Sequence, residues 1–147
     1  MLATAIEACK ETRYEFSMIL ALGYFGLTYL FENNTGQALD YFSQIVKIAY
    51  EKSNAPFKTF GIYYLTFLLF KQKHFHTAIQ LCGTIEGLKT YPIVIFFEIP
   101  MVHNTRERSL LEAREALGET DYNVAYAEGR AMTFDQATAY ALKALGQ

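Results

Sequence analysis

Apolar and polar positions recur along most of this chain at helical spacing, and the density of apolar positions alternates from segment to segment. From about Glu15 to Phe31 the chain is apolar nearly all round, and Phe16–Phe31 carries no charge. That pattern predicts a helix buried on most sides. Ala38 to Glu51 follows with a one-sided stripe, Ala38, Leu39, Phe42, Ile45, Val46 and Ala49, opposite Asp40, Gln44, Lys47 and Glu51. Phe57 to Gln72 repeats the apolar theme, and Thr77 to Lys89 repeats the mixed one. Phe16 to Glu86 therefore reads as two helical hairpins in succession. Asn33-Asn34-Thr35-Gly36 turns the first, Lys73-His74-Phe75 turns the second, and Ser53-Asn54-Ala55-Pro56 joins them, with Pro suited to a first helical turn. Gly23 and Gly26, which weaken a helix by roughly 1 kcal/mol each, mark close approach of a neighbouring element.

The flanks extend this unit. Met1 to Thr12 is amphipathic, with Leu2, Ala5, Ile6 and Cys9 on one face, and Arg13-Tyr14 reads as a short connection after it. Tyr91 to Pro100 is β-branched, aromatic and bounded by Pro; with no second strand to pair with, it is expected as a packed irregular connection. Met101 to Leu117 is a charged helix with a narrow apolar stripe, ended by Gly118. Thr120 is expected to cap a short helix, Asp121 to Glu128, with Gly129 as its left-handed stop. Thr133-Phe134-Asp135-Gln136 fits a capping box opening the last helix. The whole is one all-α domain: repeat helices over residues 1–90, the apolar connection over 91–100 and C-terminal helices over 101–147.

Composition narrows the function. The chain has 147 residues, 52% hydrophobic and 19% charged, with net charge −2. That excludes disorder and leaves apolar surface for a partner. No Lys/Arg run supports direct nucleic-acid binding. The uncharged run of Phe16–Phe31 falls short of the roughly 20 residues that span a bilayer, so a buried helix and no membrane are expected. Cys9 and Cys82 lie far apart in helical patterns, which fits two buried thiols in a cytoplasmic protein. His74 and His76 lack a third ligand nearby in sequence, so no metal is expected. No Ser/His/Asp or Cys/His arrangement can be assembled, no cofactor motif is present, and the chain is not expected to be an enzyme.

Ala38 and Ala78 stand 40 residues apart in equivalent positions after their turns. With Gly26, Tyr29 and Phe42 around the first of them, this resembles the tetratricopeptide repeat, although the spacing exceeds the usual period of about 34. In the second unit Ala78 and Phe75 match, whereas Thr66 and Leu69 depart. The C-terminal half, Arg106 to Gly118 and then Ala125-Tyr-Ala-Glu-Gly-Arg-Ala-Met-Thr133 running into Phe-Asp-Gln-Ala, is similar to the close of bacterial multi-domain signalling ATPases and large ATP-binding LuxR-class transcription regulators. Tyr126 stands where that pattern has Trp.

The resemblance implies antiparallel helical hairpins in a short right-handed α-solenoid with a C-terminal helical cap. It also implies that the helix at Leu2–Thr12 is the second helix of a repeat whose first is missing. The implied job is a non-catalytic protein–protein interaction or assembly module of a signalling or transcription-regulatory protein. The nucleotide-binding loop of those proteins is absent. Repeat geometry maps the concave face to Leu20, Gly23, Leu27, Leu30 and Phe31, and to Phe60, Tyr63, Phe67, Phe70 and Lys71. Leu20, Leu27, Leu30, Tyr63, Phe67 and Phe70 are the expected contacts for a protein or peptide partner, or for a second copy of the chain. The competing expectations are that Tyr91–Pro100 or a C-terminal helix already fills this face, and that Tyr24, Tyr29, Tyr63, Tyr64 and Phe67 form a cavity for an apolar small molecule.

Overall fold

The structure, a computed structural model, describes residues 2–89 and 98–147, and for residues 2, 3 and 5–12 the backbone alone. Among the described residues there are helices and turns and no strand. The helices are α1 (Leu2–Phe31), α2 (Thr35–Lys52), α3 (Ala55–Lys71), α4 (Phe75–Leu88), α5 (Pro100–Leu117), α6 (Glu119–Arg130) and α7 (Phe134–Ala144). The all-α expectation holds.

Consecutive helices pack on one another from α1 to α4, and α1 also reaches α3. The C-terminal helices then gather on α3 and α4. The contact of α4 with α6 is the most extensive in the molecule, α7 lies on α3 and α4, and α5 lies against α3, α4 and α6. At the centre is α3, in which every residue from Phe57 to Phe70 except Lys58 is buried. Its sequence, apolar on every side, requires this. Phe42 and Phe60 are among the largest fully buried side chains, and removing such rings from water contributes roughly 2–3 kcal/mol each.

The apolar composition of α1 has a different outcome. Only 28% of Arg13–Phe31 is buried. Ile19, Leu27 and Leu30 face the core, whereas Tyr14, Met18 and Phe25 are exposed. The expectation of burial on most sides is thus corrected: α1 has neighbours on one side and α3 has them all round. Nor does α1 break at Arg13-Tyr14. Neither residue is a helix breaker, and Ser17 Oγ donates to the Arg13 carbonyl (3.0 Å) inside an unbroken turn. Leu2–Thr12 is therefore continuous with the first helix of the first hairpin and is not the second helix of an earlier pair. Gly23 and Gly26 do mark close approach. A Cβ at Gly23 would overlap the Tyr64 ring, one at Gly26 would overlap the Phe42 ring, and these two rings stack at 5.3 Å.

The hairpin turns repeat bond for bond. Asn33 has φ +63° and Lys73 has φ +61°. The Asn33 N–H donates to the Leu30 carbonyl and the Asn34 N–H to the Tyr29 carbonyl; the Lys73 and His74 N–H groups donate to Phe70 and Leu69 in the same way. Each is a Schellman ending. Asn34 caps α2 by accepting from the Gln37 N–H at 3.2 Å, and Asn54 caps α3 by accepting from the Phe57 N–H at 3.1 Å, with Pro56 in the first turn. Asn tolerates the left-handed conformation, whereas Lys adopts it at a cost of about 1 kcal/mol. Lys73→Gly is expected to stabilise the domain by about 1 kcal/mol, read as a rise in the urea midpoint. The exposed Lys73–Glu112 ion pair it removes, at 3.6 Å, offsets little of that.

At the C-terminal end the capping box forms as expected: the Gln136 N–H donates to Thr133 Oγ1 at 3.2 Å and the Thr133 N–H to Gln136 Oε1 at 3.0 Å. Gly118 ends α5 with φ +79°. Two expectations fail here. α6 starts at Glu119 without a side-chain cap, so Thr120 is inside it. Gly129 is also inside α6 and buried, outside the positive-φ region, so it is not a left-handed stop. Its smallness is needed elsewhere: a Cβ there would overlap the Gln80 carbonyl of α4.

Candidate functional site

Leu27, Leu30, Tyr63, Phe67 and Phe70 gather on the inner side of α1 and α3, and all five are buried; Leu20 is partly buried beside them. Aromatic packing fills much of the space they would have left. Tyr63 meets Phe67 edge-on at 5.1 Å and Tyr64 at 5.3 Å, and Phe60 stacks with Tyr64 at 6.3 Å. Tyr29 instead stacks on Tyr41 of α2 at 5.6 Å. Leu27, Tyr63 and Tyr64 border Glu98, Ile99 and Val102 across a gap of about 10 Å³, too small for a ligand. The start of α5 and the two residues before it therefore cover the middle of this face. Residues 91–97 of the expected apolar connection lie outside the described residues.

The cover is pinned by charge. The Glu98 side chain is 1% exposed. Tyr63 Oη donates to its Oε1 at 2.8 Å and Arg106 Nε to the same oxygen at 3.1 Å, while His103 Nδ1 lies 3.4 Å from its Oε2. A buried carboxylate needs such partners, and donors on α3 and α5 supply them. Burial, then the hydrogen bond to Glu98, raises the Tyr63 phenol above the usual tyrosine range, so it remains the donor. Pro100 starts α5 immediately afterwards, at a position where a missing N–H costs nothing.

Among the described residues, two larger open volumes lie near this cover. One, of about 330 Å³, runs between α1, α3 and α5. Leu30, Phe31, Phe67 and Phe70 form its floor, Thr105 and Ser109 one wall, and Lys71, Lys73 and Glu112 its polar rim. The other, of about 380 Å³, lies among α3, α4, α5 and α6, where Tyr63, Tyr122 and Tyr126 face Cys82, Arg106 and Leu110. Tyr126 donates to Glu86, and the Arg114 guanidinium sits 4.2 Å from the centre of the Tyr122 ring, so these rings are held in place. Of the five aromatics expected to make a cavity, Tyr63 borders this one; Tyr122, Tyr126 and Arg106 come from the C-terminal helices, where no spacing pointed to them.

Burial pushes the Cys82 thiol up to about 12. Its reaction with iodoacetamide at pH 8, followed in a Cys9→Ser variant, is expected to be more than about a hundredfold slower than that of a free thiol. Reaction at the free-thiol rate would contradict the described packing around α4.

Glu128-Gly129-Arg130 acts as a docking element for α6. Gln80 Nε2 donates to Glu128 Oε2 at 2.7 Å, and His76 Nε2 lies 3.2 Å from the same oxygen. Thr84 Oγ1 donates to the Gly129 carbonyl at 2.8 Å. Arg130 comes within 3.9 Å of Glu86. His74 meanwhile precedes α4 in the turn, without a side-chain cap bond.

Compared with known proteins, the chain matches no family model, and neither a curated protein nor a solved structure matches it.

Proposed function

We propose that this chain is a tetratricopeptide-like interaction module: a short right-handed helical solenoid with a C-terminal cap, non-catalytic, serving assembly in a bacterial signalling or transcription-regulatory protein. The observation that carries the functional part is the groove of about 330 Å³ over Leu30, Phe31, Phe67 and Phe70. Its floor is apolar and aromatic, and its rim holds Lys71 and Lys73 against Glu112. Such a groove suits a peptide with one or two apolar anchors, and its affinity comes from burying them. The repeated turns at Asn33 and Lys73 support the solenoid part, since the same backbone hydrogen bonds recur in the same register.

A photo-crosslinking residue at Ser109, in the groove wall, tests this reading against the same residue at exposed Glu115. Adducts to a peptide or protein partner at Ser109 and not at Glu115 are expected. Equal labelling at both positions, or none at Ser109, would contradict it.

A second reading rests on the cavity of about 380 Å³ bordered by Tyr63, Tyr122 and Tyr126. That volume suits a small, largely apolar molecule. Native mass spectrometry of gently purified protein is expected to show an added mass that disappears in Leu110→Trp; an unadorned mass in the wild type would remove this reading.

A further inference from the structure

We infer that Glu98, Ile99 and the first turn of α5 are a self-supplied occupant of the inner groove, displaced by a partner peptide of the same chemistry; the inference rests on the groove reading above. The covered and open parts of the inner face form one strip. Leu27 precedes Leu30 and Phe31 of α1 by three and four residues, and Tyr63 precedes Phe67 and Phe70 of α3 by four and seven. Those spacings keep each set on one side of its helix. Leu27 and Tyr63 border Glu98, Ile99 and Val102, whereas Leu30, Phe31, Phe67 and Phe70 floor the open groove. Lifting the cover lengthens that groove by about 10 Å, the rise of about seven helical residues.

The cover is built to leave. Among the described residues, three groups meet the Glu98 carboxylate: Tyr63 Oη at 2.8 Å, Arg106 Nε at 3.1 Å and His103 Nδ1 at 3.4 Å. Arg106 and His103 belong to α5 itself, so the charge and its counter-charge move together. Of the three, only Tyr63 crosses to α3. An opened cover therefore strands no bare carboxylate, and the Tyr63 hydroxyl it releases turns to water. The apolar hold is small as well. Val102 is buried, whereas Ile99 is 40% and Met101 57% exposed. The only other buried residue of α5 is Ala113, toward its far end, and α5 meets α3 less extensively than it meets α4 and α6. It can thus tilt about its C-terminal part. The occupant also states what the face accepts: a carboxylate for Tyr63, with apolar side chains one and four positions later, as in Glu98, Ile99 and Val102. A partner peptide with that pattern and a further apolar anchor over Phe67 or Phe70 also gains the open groove. Those added contacts offset the advantage of a tethered occupant.

Opening is read by alkylation of a single cysteine beneath the cover, Leu27→Cys, with Cys9→Ser and Cys82→Ala removing the native thiols. Leu69→Cys, fully buried in α3, is the reference for global unfolding. Leu27→Cys is expected to react with iodoacetamide at least about tenfold faster than Leu69→Cys, and at a rate nearly independent of low urea, whereas the Leu69→Cys rate should rise with urea. Val102→Cys, a nearly isosteric change on the cover itself, is the second probe and should behave like Leu27→Cys. Tyr63→Phe should raise the Leu27→Cys rate by about tenfold. In a Leu27→Cys chain whose cover is loosened by Val102→Ala, a synthetic peptide of residues 98–110 is expected to slow the labelling several-fold, and the same peptide with Glu98→Ala is not. Probe rates that rise with urea as Leu69→Cys does, or that Tyr63→Phe leaves unmoved, would overturn the displaceable cover. Labelling indifferent to the 98–110 peptide would overturn the chemistry assigned to the partner. Failure of the groove reading is distinguishable, since it shows as no peptide captured by the wild type, whereas failure here leaves capture intact over Phe31 and Phe70.

Discussion

Gly129→Ala is expected to destabilise the domain by about 3 kcal/mol or more, a large fraction of the stability of an ordinary domain. The reason is local. A Cβ at Gly129 would overlap the Gln80 carbonyl and lie 2.7 Å from the Gln80 Cα. Those are backbone atoms of α4, so no side chain can swing aside. Gly83 presents the same problem in reverse, since its Cβ would overlap the Tyr126 carbonyl and come within 3.0 Å of the Arg130 backbone nitrogen. Either substitution must push α4 and α6 apart, losing the Thr84–Gly129 and Gln80–Glu128 hydrogen bonds and the packing of the most extensive helix contact in the molecule. Gly36→Ala is the control. It lies in the first turn of α2, where a Cβ meets nothing nearer than Asn34 Oδ1 at 3.9 Å, and it should stabilise by about 0.5–1 kcal/mol. Urea midpoints of the three variants check this. A Gly129→Ala chain that unfolds at the wild-type midpoint would contradict the described crossing.

Glu98→Ala is expected to cost about 3–5 kcal/mol, because it removes the acceptor for Tyr63 and leaves the Arg106 charge, itself largely buried, without that carboxylate. Glu98→Gln should cost less, since its amide oxygen can still accept one of these bonds. The loss should be cooperative: in a cycle with Tyr63→Phe, the double variant should be less destabilised than the sum of the two singles. It should also be local, with faster amide exchange in the first turns of α5 than in α3. Additive effects and unchanged α5 protection would mean that Glu98 does not hold the cover on the inner face.

Features written in short-range chemistry were legible in the sequence. Pro56, the Asn33-Asn34 turn, the capping box from Thr133 and the two glycines facing rings depend on a few adjacent residues, and each is found where the pattern placed it. The all-α class followed from periodicity alone. What failed depended on the neighbours an element acquires. The apolar sequence of α1 resembles that of α3, yet only α3 is enclosed. Gly129 looks like a helix stop because Gly often is one, and only the approach of α4 reveals the other use of a missing side chain. The Glu98 cluster joins residues up to 43 positions apart, Tyr63 to Arg106, and no local spacing encodes that meeting. Leu27, Leu30, Tyr63, Phe67 and Phe70, expected as an open contact face, are all buried; Glu98, Ile99 and Val102 border Leu27 and Tyr63, and the open space lies toward Phe31 and Phe70.

The central claim, that the open part of this face is a peptide-binding groove, is tested most directly by selection of a random peptide library on the immobilised chain. Peptides with apolar anchors are expected to be enriched on the wild type and lost on Ser109→Phe, whose ring fills the groove from the α5 wall. No enrichment on the wild type, or the same peptides retained by Ser109→Phe, would contradict it.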